Sequence, residues 1–236
     1  MQEYFVDQPL EKGATIILPK DKAFHAFRVL KLNHETIRLV SNGIGYFADA
    51  YAENGVGYAA VLSRDPDVNE LPVPVTLCMA MIRREKFELV LQKATELGVT
   101  RIVPFLSSRC VVKAKEEKEK RQTERWNAIV TEASEQCKRN IIPEVTKPVR
   151  FAQLPEFASD LNLAAYEGVR SSACAIKHVM KQCSVTGVIG PEGGFSEEEV
   201  SFLESSGFVP VSLGNRILRA ETAAIYLCSA ISEALF

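Results

Sequence analysis

Val188-Ile189-Gly190-Pro191-Glu192-Gly193-Gly194-Phe195-Ser196, followed by Leu213-Gly214-Asn215-Arg216-Ile217-Leu218-Arg219-Ala220-Glu221-Thr222-Ala223, decides the fold of this chain. Each segment is a short apolar strand that enters a glycine-containing loop and then a helix. Two such loops close together in sequence can build one pocket at the carboxyl ends of adjacent strands, where open α/β sheets bind their ligands. The glycines permit tight backbone turns beside a ligand. The first loop is no phosphate cradle, because no lysine follows its glycines and the next helix opens with Glu197-Glu198-Glu199. Carboxylates there occupy the positive end of the helix dipole and repel phosphate. Ser196 with Glu199 has the spacing of a capping box. On its own, the first loop is also compatible with a simple turn.

In the second loop, Leu213, Ile217 and Leu218 are apolar where the chain should be exposed. Such residues cover either the protein or a flat ligand such as an adenine ring. Gly214 frees backbone amides to meet a base edge. The helix that follows carries an apolar stripe of Ala223, Leu227, Ala230, Ile231 and Ala234, a pattern that suits core packing or a helix–helix dimer face equally.

Working outward, the alternation of strand and helix from residue 75 onward specifies a mostly parallel sheet covered on both faces. The strands are expected over 75–81, 101–106, 141–146, 161–166, 185–190 and 208–213. The helices are expected over 85–98, 116–139, 172–182, 196–206 and 220–235. Residues 1–65 read differently, as short strands at 15–18, 36–40, 45–48 and 58–62 and one helix from Asp21 to Lys31. Asn42-Gly43 and Asn54-Gly55 mark tight hairpin turns. Between these regions the polar, proline-containing run from Arg64 to Pro74 reads as a linker. The expected organisation is therefore a β-rich barrel-like domain over residues 1–70 and an α/β domain over 71–236.

Composition bounds the rest. At 236 residues, 47% hydrophobic and 25% charged, the chain is that of an ordinary globular protein. It contains no apolar run of membrane-spanning length, and Met1-Gln2-Glu3-Tyr4-Phe5 does not open a signal peptide, so a cytoplasmic location is expected. Six cysteines without a C-x-x-C pair read as small hydrophobes in a reducing compartment. With only His25, His34 and His178 available, no metal site is expected. Charge is uneven: residues 1–150 carry 23 basic against 20 acidic side chains, and residues 151–236 carry 5 against 10. That asymmetry suits a polyanionic partner, or a solvated lysine-rich helix from Lys113 to Arg125. Gly43-Ile44-Gly45-Tyr46-Phe47-Ala48 matches the dinucleotide pattern, but strands follow it where a helix is needed, so it reads as a hairpin turn.

The two loops resemble the SPOUT class of S-adenosylmethionine-dependent RNA methyltransferases. More narrowly they resemble the bacterial RsmE-type family, which methylates N3 of a uridine in small-subunit (16S) ribosomal RNA. Val29-Leu30-Lys31-Leu32 after His25, Gln92-Lys93-Ala94-Thr95-Glu96-Leu97-Gly98, Arg125-Trp126 and Glu132-Ala133-Ser134-Glu135-Gln136 fall in family order over nearly the whole chain. The chain departs from the family at Cys137, Lys138 and Ala220. The resemblance implies a PUA-like β-barrel at the N-terminus, a C-terminal α/β trefoil knot and a homodimer. It also implies S-adenosylmethionine as cofactor and ribosomal RNA of the small subunit, within the assembled particle, as partner.

The site residues then follow as expectations. Arg219 positions or stabilises the uridine, with Glu192 and Glu221 as further candidates for proton handling or structural roles. Ala165, Glu167, Ile189, Gly190, Gly193, Gly194, Leu213, Gly214, Ile217 and Leu218 hold the cofactor. Arg28, Lys31, Arg83, Arg84, Lys86, Arg109, Arg125 and Arg139 are candidate RNA contacts at basic positions. Three other readings stay open: a SPOUT enzyme acting on transfer RNA, a non-catalytic RNA-binding factor that keeps the fold, and a nucleotide-binding oxidoreductase.

Overall fold

Two sheets carry this chain, one of five strands and one of seven. The structure is a computed structural model and describes residues 1–110, 119–169 and 176–236. The expected helical residues 116–118 and 172–175, the start of the lysine-rich run at Lys113, and Cys174 lie outside the described residues. The chain divides into two compact units, Met1–Glu70 with Ser134–Ile141, and Leu71–Ala133 with Ile142–Phe236.

In the first unit, β1 (Glu3–Phe5), β2 (Thr15–Ile17), β3 (Glu35–Ser41), β4 (Ile44–Glu53) and β5 (Val56–Arg64) pair in the order β1-β3-β4-β5-β2. β1 lies parallel to β3 and the other pairings are antiparallel. Two hairpins sit where the Asn-Gly pairs stand. Asn42 and Gly43 have φ of 50° and 75°, and Asn54 and Gly55 have 50° and 80°, as primed two-residue turns require. Gly43 therefore turns a hairpin and opens no helix. The expected helix from Asp21 is α1 (Lys20–Phe24) running into one π-helical turn, His25–Val29. Tyr4, Leu18, Ala26, Ile37, Leu39, Ala48, Ala59 and Val61 form the core.

A buried ion cluster closes this unit. Arg38 is 2% exposed; its Nε donates to Asp65 Oδ2 and its Nη1 to Glu3 Oε2, both at 2.6 Å, and its Nη2 to Asn140 Oδ1 at 2.9 Å. A Cβ on Gly45 would stand 2.4 Å from Arg38 Nη2, so the second glycine of the dinucleotide-like match makes room for this guanidinium. One cation faces two enclosed carboxylates, and burial pushes the Glu3 carboxyl up to about 7. A folded-state value above that of the unfolded chain contributes stability at low pH, which is lost as pH rises through 7. We expect urea denaturation of the wild type to show falling stability between about pH 4.5 and 7, and Glu3→Gln to flatten that decline. Equal slopes in the two proteins would refute the assignment.

In the second unit the strands are β6 (Val75–Ala80), β7 (Arg101–Leu106), β8 (Glu144–Val145), β9 (Val149–Arg150), β10 (Leu161–Ala165), β11 (Val185–Ile189) and β12 (Val209–Val211). Every pairing is parallel, in the order β12-β10-β11-β6-β7-β8 with β9 also on β7. The helices are α2 (Arg84–Glu96), α3 (Glu119–Cys137), α4 (Ile176–Val179), α5 (Glu197–Ser205) and α6 (Ala220–Leu235), with a 3-10 helix at Phe151–Phe157. All six residues of β6 are buried, as a central parallel strand demands. Successive side chains go to opposite faces. Leu77 and Met79 join Phe87, Trp126, Val130 and Leu227 on one side. Cys78 and Ala80 join Leu154, Phe195, Leu203 and Phe208 on the other.

Three expectations need correcting. The strand foreseen over 141–146 shrinks to Glu144–Val145, because the amides of Asn140 and Ile141 donate to Glu70 Oε1 at 2.8 and 3.1 Å and are taken from the sheet. The strand over 208–213 shrinks to Val209–Val211, an edge position that accommodates Pro210. In α6 the buried face is Ala220, Ala224, Leu227, Cys228, Ile231 and Leu235, while Ala234 is exposed. That frame puts the larger apolar side chains inward, which the alanine-weighted stripe did not.

Candidate functional site

Parallel strands whose carboxyl ends deliver loops to one edge create a crevice there. In the second unit that crevice is a cavity of about 430 Å³. Ala165 closes β10 and Ile189 closes β11, two partners in the same register. Gly190, Pro191, Glu192, Gly194 and Phe195 come from the first loop, and Ile217, Leu218 and Arg219 from the second. Arg83 and Lys86 enter from the start of α2, and Ala220 and Ala223 from the first turns of α6. A second hollow of about 80 Å³ shares Ala165, Glu167, Ile217, Leu218 and Ala223 and adds Tyr166, Ser212, Leu213, Gly214 and Arg216. The two glycine loops are thus brought together at one site.

The first loop is held from beneath and from the side. Phe195 is 3% exposed and its ring packs below Gly190, where a Cβ would come within 3.2 Å of it. Phe195 in turn meets Phe151, which also contacts Phe105 and Phe202. Ser196 caps α5: its hydroxyl accepts from the Glu199 amide, and Glu199 accepts from the Ser196 amide. Glu199 also accepts from the amide and hydroxyl of Ser108 at 3.0 Å. Arg109 Nη1 donates to the carbonyls of Gly193 and Phe195 at 3.2 Å. Gly194 has φ of 66°, and an added Cβ would lie 2.5 Å from Glu167 Oε1. The carboxylate of Glu167 therefore rests against the glycine.

The second loop separates its apolar residues by role. Leu213 packs on the core, whereas Ile217 is 83% exposed and lines both hollows. Ile217 thus presents an exposed apolar side chain to both hollows, beside Leu218. Arg219 is the N-cap residue of α6 but makes no side-chain capping bond, so its guanidinium is not committed to holding the helix. Glu221, in the first turn, pairs through Oε1 with Lys86 Nζ at 3.0 Å. Burial works to raise the Glu221 carboxyl. Hydrogen bonds from its own backbone amide and from Lys86, with the charges of Lys86 and Arg219, nonetheless hold it below the ordinary carboxylate range.

Of the residues singled out from sequence, Ala165, Glu167, Ile189, Gly190, Glu192, Gly194, Leu213, Gly214, Ile217, Leu218 and Arg219 line the two hollows. Gly193 does not; its backbone faces Arg109 instead. Arg83 and Lys86, read as RNA contacts, stand in the cavity wall. Arg84 and Arg125 are exposed and both reach Glu88, at 2.8 and 3.2 Å. Arg28 and Lys31 are exposed in the first unit. Arg139 is a correction: it is 2% exposed and its guanidinium is bound to Glu70, the shortest contact being 2.6 Å, so it offers no face to a phosphate. Pro191, Phe195, Ala220 and Ala223 were missed as wall residues of the larger cavity, and Tyr166, Ser212 and Arg216 as those of the smaller. Phe195 could have been found as the apolar residue directly after two glycines, and Ala223 as the position one turn beyond Arg219.

The sequence of residues 69–232 matches the family model described as RNA methyltransferase domain. The ribosomal RNA small subunit methyltransferase E of Bacillus subtilis is 32% identical, the match covering 98% of this chain and 96% of that one. The protein of the same name from Synechocystis is 36% identical over 89% of this chain and 70% of its own. Among solved structures, the ribosomal RNA small subunit methyltransferase E of Neisseria gonorrhoeae, bound to S-adenosylmethionine, superimposes with a TM-score of 0.87 at 29% identity. It covers 99% of this chain and 97% of that one.

Proposed function

We propose that this chain, which belongs to the ribosomal RNA small subunit methyltransferase E family, transfers a methyl group from S-adenosylmethionine to N3 of a uridine in small-subunit ribosomal RNA. The observation that carries the reading is the cavity itself: two glycine loops at the ends of β10, β11 and β12, with apolar walls for a base and cations for an anionic substrate. When bound, the cofactor supplies a methyl group already activated on a sulfonium, so the protein's task is mainly positioning.

Ala165, Ile189, Gly190, Gly194, Leu213, Gly214, Ile217 and Leu218 provide the cofactor's walls, with the Glu167 carboxylate suited to its positive charge. Gly193 contributes by keeping the loop on Arg109. Uridine N3 is a poor nucleophile until its proton leaves, so the site needs a proton acceptor or a group that stabilises the anion. Arg219 positions and stabilises the uridine, and Glu192 is a candidate for proton handling. Since N3 lies on the Watson–Crick edge, the target base is unpaired or flipped out.

The finer architecture belongs to the same proposal. Residues 1-70 form a PUA-like β-barrel that binds RNA, a reading supported by the five-stranded sheet and by the exposed Arg28 and Lys31. Residues 71-236 form a SPOUT domain with a trefoil knot. Its support is the chain path after edge strand β12, which returns to lay α6 against β11, β6 and α2. A homodimer working on the assembled small subunit in the cytoplasm completes the reading. Among the described residues, no helix is long and apolar enough to cross a membrane.

The decisive assay is transfer from labelled S-adenosylmethionine to small ribosomal subunits that lack the modification, read by nucleoside mass spectrometry. New 3-methyluridine in ribosomal RNA is expected. Label appearing only in transfer RNA would overturn the substrate, and cofactor binding with no transfer would favour a binding factor. The loop contacts make a further prediction. Arg109→Ala should weaken cofactor binding about tenfold, the equivalent of one partly exposed charge-assisted bond, with the melting temperature nearly unchanged. Calorimetric titration checks this, and undiminished affinity would show that the clamp is dispensable.

A further inference from the structure

Among the described residues, the cavity wall holds three cations, Arg83, Lys86 and Arg219. A sulfonium cofactor repels them, so under the reading above they answer to charge on the RNA. Lys86 differs from the two arginines in being fixed. Its ammonium is bonded to Glu221 Oε1 at 3.0 Å, with side chains only 26% and 14% exposed. Among the described residues Glu221 Oε2 is enclosed and has no hydrogen-bond partner, and it is Oε1 that holds Lys86. The carboxylate itself sits in the first turn of α6, where the helix dipole favours a negative charge. A carboxylate stabilised in this way is a poor proton acceptor, which argues against Glu221 as the base.

We infer that Lys86 is the hydrogen-bond donor that stabilises the N3-deprotonated uridine through a pyrimidine carbonyl oxygen, and that Glu221 is the positioning residue that aims it. This rests on the methyl-transfer reading of the site. The N3–H bond breaks and its proton passes to hydroxide from solvent, giving water. The freed N3 pair forms the bond to the methyl carbon, and the carbon–sulfur bond breaks with its pair going to sulfur, leaving a neutral thioether. A fixed ammonium beside the developing anion lowers the cost of the first step. Among the described residues, Lys86 is bonded to Glu221 in the first turn of α6 and shares the cavity wall with Arg219, the N-cap of α6, Arg83 before α2, Glu192 and Glu167.

The test uses full-length protein and unmodified small subunits. In Lys86→Met, kcat at neutral pH is expected to fall about a hundredfold, and the rising limb of kcat against pH to move upward by about one unit or more. Glu221→Gln should move the same limb by less, and Lys86→Arg should restore part of the rate. Cofactor affinity by calorimetry and the salt dependence of RNA binding should stay as in the wild type. A pH profile that does not move overturns the inference. So does a decrease of about one in the salt slope of RNA binding, since that marks a phosphate contact. Loss of cofactor binding or of thermal stability in Lys86→Met, with no rescue by Lys86→Arg, overturns it in favour of a structural role. If the wild type itself makes no 3-methyluridine, the reading of the whole site fails, which is distinguishable from failure of Lys86 alone.

Discussion

Gly194→Ala should reduce affinity for S-adenosylmethionine about a hundredfold while the protein stays folded. Two independent constraints meet at this residue. Its φ of 66° is a left-handed conformation that costs a residue with a side chain about 1–2 kcal/mol. The added Cβ would also lie 2.5 Å from Glu167 Oε1. Relieving the strain moves the loop, and relieving the contact moves the carboxylate that lines the cavity, so either adjustment changes the cofactor's wall. A loss of about 2.7 kcal/mol in binding corresponds to the hundredfold change. Isothermal titration with a parallel melting curve separates loop damage from unfolding. Wild-type affinity in the variant would mean that Gly194 is a turn residue with no part in the site.

Arg219→Ala should lower kcat by about two to three orders of magnitude, the usual effect of removing one donor aimed at developing charge. The structure gives reason to expect an intact fold. Arg219 is exposed, caps α6 through its backbone carbonyl, which accepts from the Ala223 amide, and makes no side-chain capping bond. Its guanidinium is thus free of scaffold duties and stands in the cavity wall. Single-turnover transfer at saturating cofactor is the measurement. Turnover equal to the wild type would remove Arg219 from the reaction. A loss confined to KM would make it a binding contact.

Both predictions rest on residues that could be read from sequence, and the reason is local. A glycine followed closely by apolar residues and a helix N-terminus is a short-range pattern, so Gly190, Gly194, Ile217 and Leu218 announced a pocket before any contact was known. The Asn-Gly hairpins and the buried run of β6 were legible for the same reason. What stayed hidden depends on partners distant in the chain. Arg139 read as an RNA contact, because nothing near it in sequence shows that Glu70 occupies its guanidinium. Lys86 looked like a surface cation, because Glu221 stands far along the sequence. β1 was invisible as well: three residues carry no periodicity, and they form a strand only because β3 lies alongside in parallel.

The membership of Ser134–Ile141 in the first unit has a consequence for how the chain is made. Glu70 accepts from the Asn140 amide across 70 residues, and Arg38 Nη2 donates to Asn140 Oδ1 across 102. At elongation rates of about 5–20 residues per second, the amino-terminal sheet waits roughly 4–14 seconds after Glu70 emerges before Asn140 arrives to complete its buried ion cluster. Over that interval the nascent chain carries Arg38 paired with Glu3 and Asp65 but short of Asn140, and Glu70 without Arg139 and the Asn140 amide. A ribosome-bound chain arrested before Asn140 has emerged should therefore be degraded faster by protease than one arrested far enough along for Ile141 to have left the ribosome.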